Sequence, residues 1–194
     1  MTSSQAQNAE WAFSAYEASR HRLPAAEFPA QSRRVSNLSD LADDIDLYLL
    51  DAFGVLNMGE QVIPGAPERI AKLRAMGKKV LVVSNAAGYP KAKLMQRYHD
   101  LGFDFTPEDV LSSREVLLSA LPSMPPMHYG LMANEIFGRE ELEALSFDFL
   151  LDDRHVYDRA EAFIFLGSSI WNDDRQALLE ASLLDNPRPV LVGN

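Results

Sequence analysis

Two short polar segments of the chain carry residue types that could accept a phosphoryl group and bind its oxygens. Asp51 follows the apolar run Leu47–Leu50, and Ser84 and Asn85 follow the apolar run at residues 80–83. A carboxylate can attack phosphorus to form an aspartyl-phosphate. A neighbouring hydroxyl can hold the phosphoryl oxygens, together with backbone N–H groups that small residues leave exposed. Taken singly, a strand-terminal Asp or Ser is more often a helix cap or a turn residue, so only the pair points to this chemistry.

The spacing of the apolar runs predicts the elements that position these residues. Continuous apolar runs are typical of strands that are covered on both faces, as in a parallel sheet. We predict strands at residues 47–50, 80–83, 128–132, 162–166 and 190–192. We predict helices at residues 8–20, 67–76, 90–101, 113–121, 139–145 and 172–184. This alternation indicates an α/β fold with mostly parallel strands, in which ligands bind beyond the carboxyl ends of the strands.

The segment from residue 46 to about residue 120 resembles the opening of the haloacid dehalogenase-like (HAD) hydrolases of class IIA. The shared features are a hydrophobic strand leading into Asp, Gly-Val shortly after it, an Ile-Pro-Gly-Ala turn, a helix ending in Gly-Lys-Lys, and a strand leading into Ser-Asn. Any one of these features would be weak evidence, but the five together are specific. Class IIA includes phosphatases that act on sugar phosphates, nucleotides and small aryl phosphates. The resemblance implies a Rossmannoid parallel-sheet core with an inserted α/β cap domain.

The same resemblance implies roles for individual residues. Asp51 would be the catalytic nucleophile and a ligand of Mg²⁺, and the backbone carbonyl of Phe53 would be a second metal ligand. Ser84 would hydrogen-bond the transferring phosphoryl group. Asn85 and Gly54 are assigned to the phosphate-binding site beside it.

The resemblance also divides the chain into three parts. Residues 1–38 form a polar N-terminal extension, and residues 39–121 form the first part of the HAD-like core. The Pro-rich segment PSMPP, at residues 122–126, falls where the chain is expected to cross into the cap. Residues 122–194 would therefore be an incomplete α/β cap domain.

Position 53 departs from the usual family pattern. That pattern places a second Asp two residues after the nucleophile, where it acts as general acid to the leaving group and then as base for the attacking water. Here the residue is Phe53. Loss of a positioned general acid typically costs on the order of 100- to 10,000-fold in rate. A subgroup of class IIA carries an aromatic residue at this position, so Phe53 resembles a feature of that subgroup. Both an active and an impaired enzyme are compatible with it.

The chain also ends at Asn194, before the family's third motif with its Lys and its fourth motif with acidic metal ligands. We therefore expect the 194-residue form to be a C-terminally truncated product and a poor catalyst, with the Asp51 strand as an exposed hydrophobic edge. Two functions follow as hypotheses. The first is a Mg²⁺-dependent phosphatase that acts through an aspartyl-phosphate on a sugar phosphate or another small phosphorylated metabolite. The second is a catalytically impaired HAD-like domain that binds a phosphorylated ligand or a protein partner.

Composition and charge argue against several other functions. A net charge of -10 is unsuited to nucleic-acid binding. The absence of cysteine excludes disulfides, thiolate catalysis and zinc–cysteine sites. The N-terminus lacks the basic start and apolar core of a secretory signal, and no apolar run is long enough to cross a membrane. We therefore expect a cytoplasmic protein without nucleic-acid or membrane partners, for which an open sheet edge favours a homo-oligomer.

Overall fold

Residues 8–194 are described by a computed structural model, in which the chain forms two compact units, Met1–Ser36 and Asn37–Asn194. The first unit contains helix α1, which spans Ala9–Ser19. This confirms the helix predicted at residues 8–20. In the part of the chain that the structure describes, no helix combines the length and the apolar character needed to cross a membrane.

The second unit contains the sheets and the remaining helices. Its strands are β1 (Leu47–Leu50), β2 (Asn57–Met58), β3 (Gln61–Val62), β4 (Lys79–Ser84), β5 (Val110–Ser112), β6 (His128–Met132), β7 (Ser146–Phe149), β8 (Ala162–Phe165) and β9 (Val190–Val192). Its helices are α2 (Ala66–Ala75), α3 (Lys91–Asp100), α4 (Ser113–Ala120), α5 (Arg154–Arg159) and α6 (Asp173–Asp185). All five predicted strands are present in this unit, as are the helices predicted at residues 67–76, 90–101, 113–121 and 172–184.

The first sheet has the order β1-β4-β5, and both of its strand pairings are parallel. Helix α2 leads from β1 towards β4. It begins after Gly65 and is followed by Gly77, and both glycines have positive φ angles that other residues adopt at a cost. Ile70 and Leu73 of this helix are buried in the same apolar cluster as Val82 of β4. The parallel register brings the carboxyl ends of β1, β4 and β5 to one edge of the sheet.

Strand β1 is the outer strand of this sheet, and the described residues place no strand beyond it. Leu47 and Leu49 are 44% and 61% exposed, respectively, although both lie in an apolar strand. The expectation of an exposed hydrophobic edge at the Asp51 strand is therefore met. The short antiparallel pair β2–β3 follows the Asp51 loop, in a stretch for which no strand was predicted.

The second sheet has the order β7-β6-β8-β9, and all of its pairings are parallel. Apolar clusters cover its two faces. Strand β7 and helix α5 were not predicted from the sequence. The helix predicted at residues 139–145 is wrong, because this segment consists of turns. Gly138 and Glu141 have φ angles of 56° and 66°, which interrupt a helix. The Glu141 side chain accepts hydrogen bonds from other elements instead, so tertiary contacts override the local helix propensity.

Candidate functional site

The loop after β1 presents Asp51 to solvent at the carboxyl end of the strand. Its carboxylate accepts a hydrogen bond from the backbone N–H of Ala52 at 2.7 Å. The loop then closes on itself, because the Ala52 carbonyl accepts hydrogen bonds from Leu56 and from other N–H groups of the same turn. Gly54 has a φ of 83°, and its N–H donates to the Asn57 carbonyl at 2.8 Å. The positive φ of Gly54 thus lets the chain reverse direction, and the Asp51 carboxylate stays at the end of β1.

The segment after β4 lies next to this loop because β1 and β4 are paired in parallel. Ser84 is buried, and its hydroxyl accepts a hydrogen bond from the backbone N–H of Ala86 at 3.2 Å. Asn85 is exposed, and its amide nitrogen donates to the side-chain oxygen of Asn194 at 3.1 Å. Asn194, which follows β9 of the second sheet, was assigned no role from the sequence.

An open groove of about 680 Å³ joins the predicted residues. It is lined by Asp51, Val83, Ser84, Asn85, Leu111, Ser112, Ser113, Val116, Leu117, Ala120, Val192 and Gly193. Three of the predicted site residues, Asp51, Ser84 and Asn85, are therefore brought together. Phe53 and Gly54 are not among the lining residues, and the Phe53 side chain is 62% exposed.

Two serines at the end of β5 also line the groove. Ser112 caps helix α4: its hydroxyl accepts from the N–H of Glu115 and donates to the carboxylate of the same residue. Ser113 has a buried hydroxyl without a hydrogen-bond partner in the part of the chain that the structure describes, and it is a polar group that a ligand in the groove could satisfy.

Tyr98 of α3 lies beneath the predicted phosphate site and is fully buried. Burial raises the pKa of its phenol, the neighbouring Ser84 hydroxyl acts in the opposite direction, and the Asp51 charge adds to the rise. Its hydroxyl makes no well-aligned hydrogen bond to any described residue. Tyr98 therefore puts a neutral polar group behind Ser84, which the helical spacing of the sequence did not reveal.

The groove contains a single charged side chain among the described residues, the carboxylate of Asp51. Lys91 is nearby in sequence, but its ammonium group donates to the Val110 carbonyl and to the Glu115 carboxylate. A phosphate dianion beside Asp51 would therefore meet an uncompensated negative charge. The site requires a cation to bind such a ligand.

The donors available for a metal ion are few. Within residues 8–194, no group of three or more His, Asp or Glu side chains is placed to hold a metal. Asp51 offers an exposed carboxylate, and the Phe53 carbonyl accepts none of the backbone hydrogen bonds that close the loop. Mg²⁺ commonly retains several waters and binds through one or two carboxylates and substrate phosphates, and these two oxygens are donors of the type that it prefers.

The parallel α/β sheet thus places a carboxylate and a Ser-Asn segment at adjacent strand ends, in the arrangement predicted from the sequence. The chain belongs to the haloacid dehalogenase-like hydrolase family, whose family model matches residues 48–148, just over half of the chain. This confirms the resemblance drawn from the motifs.

Individual relatives are similar over part of their length. Glycerol-3-phosphate phosphatase of Homo sapiens is 36% identical over 86 residues, which are 42% of this chain and 27% of that protein. A possible sugar phosphatase of the HAD superfamily from Cytophaga hutchinsonii has a similar fold, with a TM-score of 0.68 and 19% identity over 82% of this chain and 58% of that one. A magnesium complex of a glycerol phosphate phosphatase from Mycobacterium tuberculosis gives a TM-score of 0.58 and 21% identity, over 79% of this chain and 45% of that one. The chain thus spans about a quarter of the curated relative and about half of these structures.

Proposed function

We propose that the chain provides the nucleophile and phosphate-binding segment of a Mg²⁺-dependent phosphatase that hydrolyses phosphomonoesters of small metabolites. One observation carries the proposal: Asp51 and the Ser84-Asn85 segment line the same groove at the carboxyl ends of adjacent parallel strands. The names of the relatives, glycerol-3-phosphate phosphatase and phosphoglycolate phosphatase among them, support a small phosphorylated substrate.

The proposed reaction has two displacements at phosphorus. An Asp51 carboxylate oxygen attacks phosphorus as the bond to the leaving alcohol oxygen breaks, and the leaving oxygen takes a proton from water. A water molecule then attacks the aspartyl-phosphate, the bond to Asp51 breaks, and phosphate leaves while the water's proton passes to solvent. Ser84 donates its hydroxyl hydrogen, and Asn85 an amide hydrogen, to the phosphoryl oxygens.

A metal ion fits this site as a source of positive charge. The Asp51 carboxylate and the Phe53 carbonyl would hold Mg²⁺, with water and the phosphate as its further ligands. When bound, Mg²⁺ offsets the repulsion between the carboxylate and the phosphoryl group. The residues themselves position the phosphoryl group, and the pairing of β4 with β1 on one side and β5 on the other keeps Ser84 in place.

We also propose a domain organisation and a homo-oligomeric assembly for the chain. The first sheet lies before residues 122–126 and the second lies after them, which supports core and cap assignments for residues 39–121 and 122–194. The free edge of β1 supports self-association into a homo-oligomer. A cysteine-free sequence supports a cytoplasmic location.

Phosphate release from a panel of small phosphomonoesters tests the proposed function. Glycerol 3-phosphate, phosphoglycolate and p-nitrophenyl phosphate are incubated with the chain in millimolar Mg²⁺, and free phosphate is measured. We expect release with at least one ester, and its loss when EDTA removes the metal.

The second candidate function, an impaired domain that binds phosphorylated ligands, is favoured by Phe53 and by the lack of a cationic side chain in the described groove. Saturable binding of an ester without phosphate release would select it.

Phe53→Asp is expected to increase turnover. The change installs a carboxyl group two residues after the nucleophile, where it could protonate the leaving group and then activate water, an effect of on the order of 100-fold or more. Because Phe53 is 62% exposed, the substitution should cost little stability. The measurement is kcat for p-nitrophenyl phosphate. Phe53→Asn is the matched control, since it has the same shape but cannot transfer a proton at neutral pH. Equal rates for the two variants would contradict a proton-transfer role for this position.

A further inference from the structure

We propose that Asn194 is a positioning residue that holds the Asn85 amide ready to bind a phosphoryl oxygen. This inference rests on the proposed function, because it assigns a role within the same phosphate site. The starting observation is the hydrogen bond from the Asn85 amide nitrogen to the Asn194 side-chain oxygen at 3.1 Å. The bond links the segment after β4 to the segment after β9, which are 109 residues apart in sequence.

The backbone leading to Asn194 is fixed at the groove. Val192 and Gly193 line the same groove as Asp51, and the N–H of Gly193 donates to the Phe165 carbonyl at 2.7 Å. A Cβ atom at Gly193 would lie 3.1 Å from that carbonyl oxygen and 3.3 Å from a side-chain carbon of Leu117. The glycine therefore allows β9 to seat closely against its neighbours, and this close seating carries Asn194 to Asn85.

The hydrogen-bond capacity of an amide explains what this contact can do. A side-chain amide nitrogen has two N–H donors. Asn194 takes one of them, which leaves the second N–H of Asn85 for a phosphoryl oxygen. Without this partner, an exposed Asn85 side chain rotates among its rotamers and must be ordered again when phosphate binds. The ordering of one side chain weakens binding by roughly 2- to 10-fold.

The alternative is that the Asn85–Asn194 hydrogen bond is an incidental surface contact. In that case its loss would not alter ligand affinity. The groove favours a functional role. Asn85 is a lining residue of the site, its neighbour Ser84 is buried with its own hydroxyl anchored by Ala86, and no described cation is available to hold the phosphate directly. In a groove without a lysine, the oriented N–H group of Asn85 therefore contributes a larger share of the binding free energy for phosphate.

Two measurements on the full chain test the proposal. The first is the ¹⁵N relaxation of the Asn85 side-chain amide, recorded without ligand. Asn194→Ala is expected to lower the order of this amide, and Asn194→Asp, which keeps the acceptor oxygen, is expected to restore it. An Asn85 amide that is equally ordered in Asn194→Ala and in the wild-type chain would overturn the proposal, whether or not the chain binds phosphate.

The second measurement is the affinity for inorganic phosphate in the presence of Mg²⁺, by titration calorimetry. We expect roughly 2- to 10-fold weaker binding for Asn194→Ala than for the wild-type chain. The double variant should bind no more weakly than Asn85→Ala alone. The exposed Asn186, at the end of α6, provides the control variant Asn186→Ala, which should bind like the wild-type chain. Fully additive losses would overturn the positioning role. A wild-type chain that binds no phosphate would instead refute the proposed function, and the amide relaxation would still decide the role of Asn194.

Discussion

Asp51→Asn is expected to abolish formation of a beryllofluoride adduct. In the presence of Mg²⁺, beryllofluoride bonds to a carboxylate oxygen and mimics an aspartyl-phosphate, whereas an amide at the same position lacks the charged oxygen that forms the bond. The wild-type chain should show a bound ¹⁹F resonance that the variant lacks. Hydrolysis should be lost as well, since removal of a catalytic nucleophile has cost on the order of 10⁶-fold where it has been measured.

Two properties of the structure make this a specific test. Asp51 is exposed, so the isosteric change should leave the fold intact, which near-ultraviolet circular dichroism can check. Asp46 precedes the other end of β1, has a fully exposed side chain and pairs only loosely with Lys78 at 3.4 Å. Asp46→Asn is therefore a matched control that removes the same charge and should trap beryllofluoride like the wild-type chain. Equal trapping by Asp51→Asn would remove the nucleophile assignment.

The sequence predicted the site as far as local patterns reach. Apolar runs identified β1 and β4, and residues at the carboxyl ends of neighbouring parallel strands must converge. This rule alone predicts that Asp51, Ser84 and Asn85 lie close together, and all three line the groove. Ser112, at the end of β5, both caps α4 and lines the groove, so one side chain there has two roles.

The remaining wall of the groove could not be predicted from the sequence. Val192, Gly193 and Asn194 reach the site because β9 joins the second sheet as its outer strand, and this pairing depends on contacts between distant segments. The turns at residues 139–145 were missed for a related reason. Their residues favour a helix individually, but Glu141 instead serves as a tertiary acceptor, and no periodic pattern records such a role.

The contacts of Glu141 centre on Arg114 of α4, whose side chain is only 3% exposed. Arg114 donates to the Glu141 carboxylate at 2.7 Å and to the Glu140 carbonyl at 2.7 Å. The other oxygen of the same carboxylate accepts from the backbone N–H of Lys91 at 2.7 Å, in the first turn of α3. This buried pair therefore ties α3 and α4, which flank the groove's phosphate segment, to the turns that lead into β7.

Arg114→Ala is expected to destabilise the chain by about 3 kcal/mol, because removing one partner of a buried pair leaves the other charge and its acceptors uncompensated. For a chain of this length, that loss lowers Tm by roughly 6–12 °C. The measurement is the free energy of unfolding in urea, with Tm from calorimetry. Glu141→Gln should lose less, because the amide oxygen still accepts from the N–H of Lys91.

Arg154→Ala is the matched control for this prediction. Arg154 also pairs with two carboxylates, those of Asp158 and Asp185, each at 2.7 Å, but its side chain is 36% exposed. Exposed pairs contribute about 1 kcal/mol or less, since water screens them in the folded state. If Arg114→Ala lowers the free energy of unfolding as little as Arg154→Ala does, the Arg114–Glu141 pair does not stabilise the attachment of α3 and α4 to the turns before β7. A large loss would identify the buried Arg114 side chain as a contact that ties α3 and α4 to the turns before β7.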